Sequence, residues 1–220
     1  MAVICMLISE IYNRYNIMPA LQLHMYRVAS VASVICRNTS LDLKADEIVA
    51  ACLLHDMGNI IKINLQILPE LLEPEGAEYW GTVKARFVEK YGPDENQATR
   101  RIAEEIGVNP RVLELIDSFG FIKTMKIYRS NDPAKQICCY ADTRVTPLGV
   151  AALKERIEEG RKRHLRSGKA IQGDDRFKEI VSYLEKIERR VFEHCTLGPE
   201  EITEISIKQD LENLRKFDIH

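Results

Sequence analysis

Seven consecutive apolar residues, Ile48-Val49-Ala50-Ala51-Cys52-Leu53-Leu54, run directly into the pair His55-Asp56. A helix built on that run has no polar face, so other protein must surround it on every side. An imidazole and a carboxylate at the end of so buried a segment are costly unless a partner satisfies them. This stretch therefore predicts a central helix with something bound at its end.

The neighbouring segments can supply the surrounding helices. Residues 3–14 put Ile4, Leu7, Ile8 and Ile11 on one helical face. Pro19 opens a second helix to about Cys36, with Leu21, Met25, Val28, Ala32 and Ile35 at helical spacing. Asp46 is placed to cap the central helix and Gly58 to stop it. Residues 60–81, with Pro69, Pro74, Gly76 and Gly81, read as a loop or lid. Helices are expected over about 82–91, from Asp94 to about Ile106, and from Asn109-Pro110 to about Ser118. Residues 119–129 fit a helix or a loop. Asp132-Pro133 begins the helix that carries Asp142. The expected fold class is all-α.

Past residue 150 the density of charged residues roughly doubles without changing sign, as a more surface-like segment would. A helix is expected from about 148, then a basic, glycine-flanked loop at 160–173. A helix from Asp174 to about His194 follows, and Gly198-Pro199 starts a last one. Phe177, Ile180, Val181, Leu184, Ile187 and Val191 form one apolar stripe, read as a packing seam. The expected organisation is a helical domain over 1–150 with charged C-terminal helices, 151–220, packed on it as one globular unit.

Composition excludes several classes. For a chain of 220 residues, a net charge of −2 predicts no strong general attraction to nucleic acid or acidic membranes. The basic run Arg161-Lys162-Arg163-His164-Leu165-Arg166, with Lys169, has nearby acidic residues and no interleaved aromatics, so it reads as a solvated loop. The six cysteines never form a CxxC pair, so neither a zinc ribbon nor a thioredoxin-like site is indicated. Most lie in apolar helical context and read as reduced, buried thiols of a cytoplasmic protein. The N-terminal run MAVICMLISEIYNRY has no basic leader and turns polar too soon for a membrane span.

Two imidazoles and two carboxylates stand out: His24 in LHMYRVASVA, His55-Asp56 in ACLLHDMGNI, and Asp142 in CCYADTRV. These are the right parts for one divalent metal site. Adjacent side chains on a helix diverge by about 100°, but at a helix end they can converge on an ion beyond it. His24 would reach that ion from one side and Asp142 from the other.

These stretches resemble the HD-domain superfamily of metal-dependent phosphohydrolases, whose members carry H…HD…D on a helical bundle. The resemblance covers residues of about 15 to 150, and its most specific piece is the His-Asp-x-Gly turn after a buried apolar helix. It implies an HD-type bundle with additional C-terminal helices and a hydrolase. It implies His24, His55, Asp56 and Asp142 as ligands of one metal, with Asp56 also serving catalysis. The implied substrate is a small phosphorylated molecule, a nucleotide first. Two departures matter. Many members have Lys, and one branch Glu, where this chain has Asn59; an amide can orient a water or phosphate oxygen but is no general base. Residues 57–141 contain no histidine, which speaks against the multi-metal versions.

The donor set suits Mn²⁺, Fe²⁺, Co²⁺, Ni²⁺ or Zn²⁺ better than Mg²⁺. A cation would be needed beside the transferred phosphoryl group. Arg27 shares the face of His24 and could serve there or pair with Asp56. Lys62 lies just past the turn after the motif, and Arg144 lies two residues beyond Asp142 on another face. Lys62 and Arg144 are the candidate substrate-binding residues; Asn59 and Arg27 join Asp56 as catalytic candidates. Other readings are a non-catalytic metal-binding or regulatory module, favoured by Asn59, and an RNA-end phosphatase or phosphodiesterase, favoured by the basic run. The partner is expected to be the small substrate, with no membrane or nucleic acid; a homo-oligomer is left open.

Overall fold

A computed structural model describes residues 6–66, 72–166 and 174–219. The chain is all-α, with eleven helices among the described residues and only two-residue strands. In chain order they are β1 (Met6–Leu7), α1 (Ile8–Arg14), α2 (Pro19–Asn38), α3 (Ala45–Leu54), α4 (Gly76–Tyr91), α5 (Glu95–Ile106), α6 (Pro110–Ile116), α7 (Thr124–Arg129) and α8 (Pro133–Asp142). Then follow β2 (Val145–Thr146), β3 (Gly149–Val150), α9 (Leu153–Arg166), α10 (Asp174–Phe192), α11 (Lys208–Asn213) and β4 (Asp218–Ile219).

α3 is the axis of the fold. Each residue from Ile48 to Leu54 is buried, as its unbroken apolar run requires. α2 packs along it, and α8 packs on both. α6 covers another flank of α3. The capping residues act as their chemistry dictates. Asp94 accepts from the Gln97 N–H, Asn109 from Val112, and Asp132 from Ala134 and Lys135.

The C-terminal segment joins the same core. Leu184, Ile187 and Val191 of the stripe are fully or nearly buried, with α10 against α7 and α8. α11 lies on α2, where Arg37 holds Asp210 in an ion pair. β4 pairs antiparallel with β1, setting Met6 opposite Ile219.

Several expectations need correction. α1 begins at Ile8; Met6 and Leu7 pair with β4, and Ile4 lies outside the described residues. Asp46 sits inside the first turn of α3, where its charge favours the helix N-terminus, and Lys44 holds the cap position. α4 starts at Gly76 rather than near 82, so Gly81 is helical. Of the expected loop, Asn59–Ile61 form a 3-10 turn and 67–71 lie outside the described residues. The segment 119–129 resolves into a 3-10 turn and α7. The β2–β3 hairpin occupies 145–150, delaying α9 to Leu153, and α9 continues to Arg166. The run 161–166 is therefore helical and not a loop; Lys169 lies outside the described residues. Gly198-Pro199 opens only a 3-10 turn, and the last helix begins at Lys208.

Candidate metal centre

The end of α3 is tied off by its own last carbonyls. A helix leaves its final C=O groups without backbone donors. Tyr12 donates its hydroxyl to the Leu53 carbonyl at 2.6 Å, and His55 donates Nδ1–H to the Cys52 carbonyl at 2.8 Å. The chain then turns through Asp56, Met57 and Gly58 into the 3-10 turn. Gly58 is there because α5 crosses it closely. A Cβ at this position would stand 2.4 Å from the Glu95 carbonyl oxygen and 2.8 Å from Ala98 Cβ. The Gly58 N–H donates to Thr99 Oγ1 at 2.9 Å and seals the contact.

Three elements deliver side chains to one point. His24 comes from the middle of α2, His55 and Asp56 from the end of α3, and Asp142 from the end of α8. One ligand atom each from His24, His55 and Asp142 lies within 4.8 Å of the others, a group that could hold a metal ion. His24 Nε2 is 3.3 Å from Asp142 Oδ1 and 3.6 Å from Asp56 Oδ2. His55 Nε2 is 3.6 Å from Asp56 Oδ1 and 3.7 Å from Asp142 Oδ1.

His55 tests whether a cation fits. Its side chain is 2 % exposed, and the ring stacks on Phe119 with centroids 4.3 Å apart. Because Nδ1–H is given to the Cys52 carbonyl, Nε2 is the nitrogen that offers a lone pair when the ring is neutral. Nε2 is buried and has no hydrogen-bond partner among the described residues. An orphaned nitrogen facing two carboxylates just beyond hydrogen-bond reach suits a divalent ion, since ligand atoms at about 2.1 Å from one ion stand a few ångströms apart.

The electrostatics agree. Burial opposes protonation of His55, but the carboxylates of Asp56 and Asp142 outweigh it and lift the pKa to about 9. Burial likewise opposes the Asp142 charge, yet His24 and His55 hold its pKa well below the ordinary carboxylate value. The cluster concentrates negative charge that a proton balances in this state and that a cation can balance instead.

The other candidates are distributed unevenly. Asn59 is buried beside the motif, its backbone N–H donating to the Asp56 carbonyl at 3.0 Å. Lys62 is half exposed and lies 3.8 Å from Glu95. Arg27 pairs with Glu204 of the C-terminal segment, and not with Asp56. Arg144 is 2 % exposed and not a free cation. It donates to the Tyr140 hydroxyl and to the carbonyls of Ala151, Pro199 and Ile202. The thiols of Cys52, Cys138 and Cys139 are buried, and burial pushes that of Cys139 up to about 12, so it is unreactive.

Sequence reading missed Phe119 and Glu204. Phe119 lay in a segment without clear periodicity. Glu204 meets Arg27 across 177 residues, and no local spacing signals such a pair.

A family model described as HD domain matches residues 22–144, which span His24, the His55-Asp56 pair and Asp142. No curated protein matches the chain, and no solved structure does. Among the described residues no helix is long and apolar enough to cross a membrane.

Proposed function

The chain belongs to the HD-domain family, and from that premise we propose that it is a metal-dependent phosphohydrolase acting on a small phosphorylated substrate, with nucleotides the first class to test. The observation that carries this reading is the convergence of His24, His55 and Asp142 around the orphaned Nε2 of His55. Asp56, within 3.6 Å of both imidazoles, completes the donor set. Two imidazoles and two carboxylates favour Mn²⁺, Fe²⁺, Co²⁺, Ni²⁺ or Zn²⁺. Such an ion, when bound, supplies Lewis acidity toward a phosphoryl oxygen and a more acidic water.

The chain's own residues then have distinct tasks. The Cys52 carbonyl and Phe119 hold the His55 ring in one tautomer and one plane. In this reading Asp56 is the carboxylate that would receive a proton from an attacking water. Asn59 can orient that water or a phosphate oxygen but cannot take its proton. Arg27 and Lys62 are the cations at hand for phosphoryl charge. Arg144, spent on backbone carbonyls, leaves that role. The buried thiols favour a reducing, cytoplasmic compartment.

The test is metal content followed by a screen of Mn²⁺, Co²⁺ and Ni²⁺ with a generic phosphomonoester and a nucleotide panel, Asp56→Ala serving as control. Metal in the wild type with hydrolysis abolished in the variant supports the reading. A second reading, a metal-binding module without turnover, draws on buried Asn59 in place of a titratable side chain. Metal bound without turnover on any phosphoester would establish it.

A further inference from the structure

Arg27 and the β2–β3 hairpin hold an anion that belongs to the chain itself. Arg27 donates from Nε to Glu204 Oε1 at 2.9 Å, and its Nη2 lies 2.8 Å from the same oxygen in an ion pair. The other oxygen of the same carboxylate, Oε2, accepts the backbone N–H of Val150 at 2.9 Å. Gly149 lies alongside at φ +142°, a conformation that side chains rarely adopt, and a Cβ there would stand 2.9 Å from Oε2. The hairpin thus leaves both the room and the backbone geometry that an oxyanion needs. A guanidinium edge and a backbone N–H converging on one anion is the donor pattern that a phosphoryl group accepts.

Glu204 is not what fixes its own segment. Ile202 and Ile207 are buried at either end, while Thr203 to Ser206 between them are exposed. Arg144 grips the carbonyls of Pro199 and Ile202, and Thr203 and Ser206 exchange hydrogen bonds. The Glu204 side chain is 44 % exposed, and an ion pair so placed contributes little to stability. Its carboxylate can leave while the segment stays.

Arg27 follows His24 by three residues, about 4.5 Å along the axis of α2. We propose that the Arg27 guanidinium and the Val150 N–H form an oxyanion subsite for a phosphoryl group of the substrate, kept by the Glu204 carboxylate as an internal stand-in until that group displaces it. The inference rests on the phosphohydrolase reading for its ligand, and on the three-way contact of Arg27, Val150 and Glu204 for its place. Glu204 then tunes affinity: a monoanionic or neutral ligand does not outcompete it, whereas a multiply charged phosphate ester does.

Inorganic phosphate is the probe, titrated calorimetrically into the full chain with and without Mn²⁺, while the Val150 amide is followed by ¹⁵N NMR. Glu204→Gln is expected to bind phosphate about three- to tenfold more tightly than the wild type, because an internal competitor is gone. Arg27→Gln is expected to lose that gain when combined with it, and phosphate is expected to shift the Val150 resonance. Equal or weaker affinity in Glu204→Gln, or a Val150 amide unmoved by saturating phosphate, overturns the subsite. Glu204→Asp, too short to span both donors, is expected to be intermediate. Loss of folding in both Glu204 variants also overturns it, since the carboxylate would then be structural. Hydrolysis with no change in phosphate affinity leaves the phosphohydrolase reading standing and removes the subsite; tighter phosphate binding without hydrolysis does the reverse.

Discussion

His55 donates Nδ1–H to the carbonyl of Cys52, three residues back and 2.8 Å away, so the ring at the end of the central helix is oriented by that helix's own last turn. The bond fixes which nitrogen faces the carboxylates, and the stack on Phe119 fixes the plane. Binding a metal here therefore requires little rearrangement of the ring.

Removing a donor should remove the ion. Asp142→Asn or His55→Gln is expected to weaken metal binding by about 100-fold or more, given that even supporting partners of metal ligands cost 10–100-fold. Competition with a chromophoric chelator measures this. Wild-type affinity in both variants would exclude the cluster as the metal site.

The metal-free chain should respond to pH through His55. Its pKa is raised from 6.5 to about 9, so the native state holds a proton more tightly than the unfolded chain. That contribution is fully present below about 6.5 and is lost as pH climbs through about 9, in all roughly 3 kcal/mol. Asp142 has the opposite sign: its depressed pKa contributes above the ordinary carboxylate range and is lost as pH falls through the folded value. Denaturant melts of the metal-free protein between pH 6.5 and 9.5 should show falling stability, from which a flat profile would subtract the His55 contribution.

Metal must also displace that proton. Binding at pH 7.5 is expected to release about one proton per chain, read as a buffer-dependent heat in calorimetry, and to weaken as pH falls. Identical heats in buffers of different ionisation enthalpy would count against a protonated His55.

Gly58→Ala should destabilise the fold by roughly 1–3 kcal/mol, the usual cost of forcing atoms into a packed contact. The added methyl meets the Glu95 carbonyl and Ala98, and α5 has to move away from the metal turn. Thermal melts and metal affinity should worsen together; a neutral substitution would mean that the contact is slack.

Arg144→Leu should separate structure from chemistry. It strips donors from the carbonyls of Ala151, Pro199 and Ile202 and is expected to cost roughly 2–4 kcal/mol. Metal affinity should stay within about threefold of the wild type, since Arg144 touches none of the four ligand side chains. A selective loss of phosphate binding at unchanged stability would restore the substrate role for Arg144.

The local signals were the legible ones. The run from Ile48 to Leu54 has one physical solution, a surrounded helix, and the capping residues Asp94, Asn109 and Asp132 announce their helices through their own side chains. His24, His55 and Asp142 were legible because their chemistry is conspicuous on apolar faces. What could not be read was long-range. The burial of Arg144 depends on carbonyls more than 50 residues away, and the partner of Arg27 on a glutamate 177 residues on. Gly81 inside α4 shows the converse limit, because packing of Trp80 and Val83 overrides a weak local preference.

The pairing of β1 with β4 has a consequence for how the chain is made. Among the described residues, the strand partners of Met6 and Leu7 are Ile219 and Asp218. All four metal-site side chains leave the ribosome by residue 142, well before α11 can cover its flank of α2. During synthesis the complete set of metal-site side chains is made before β4, and the β1–β4 pairing is a non-local contact that comes after it. An ion captured by the nascent chain would hold α2, α3 and α8 together through that interval, acting as a folding template before any substrate arrives.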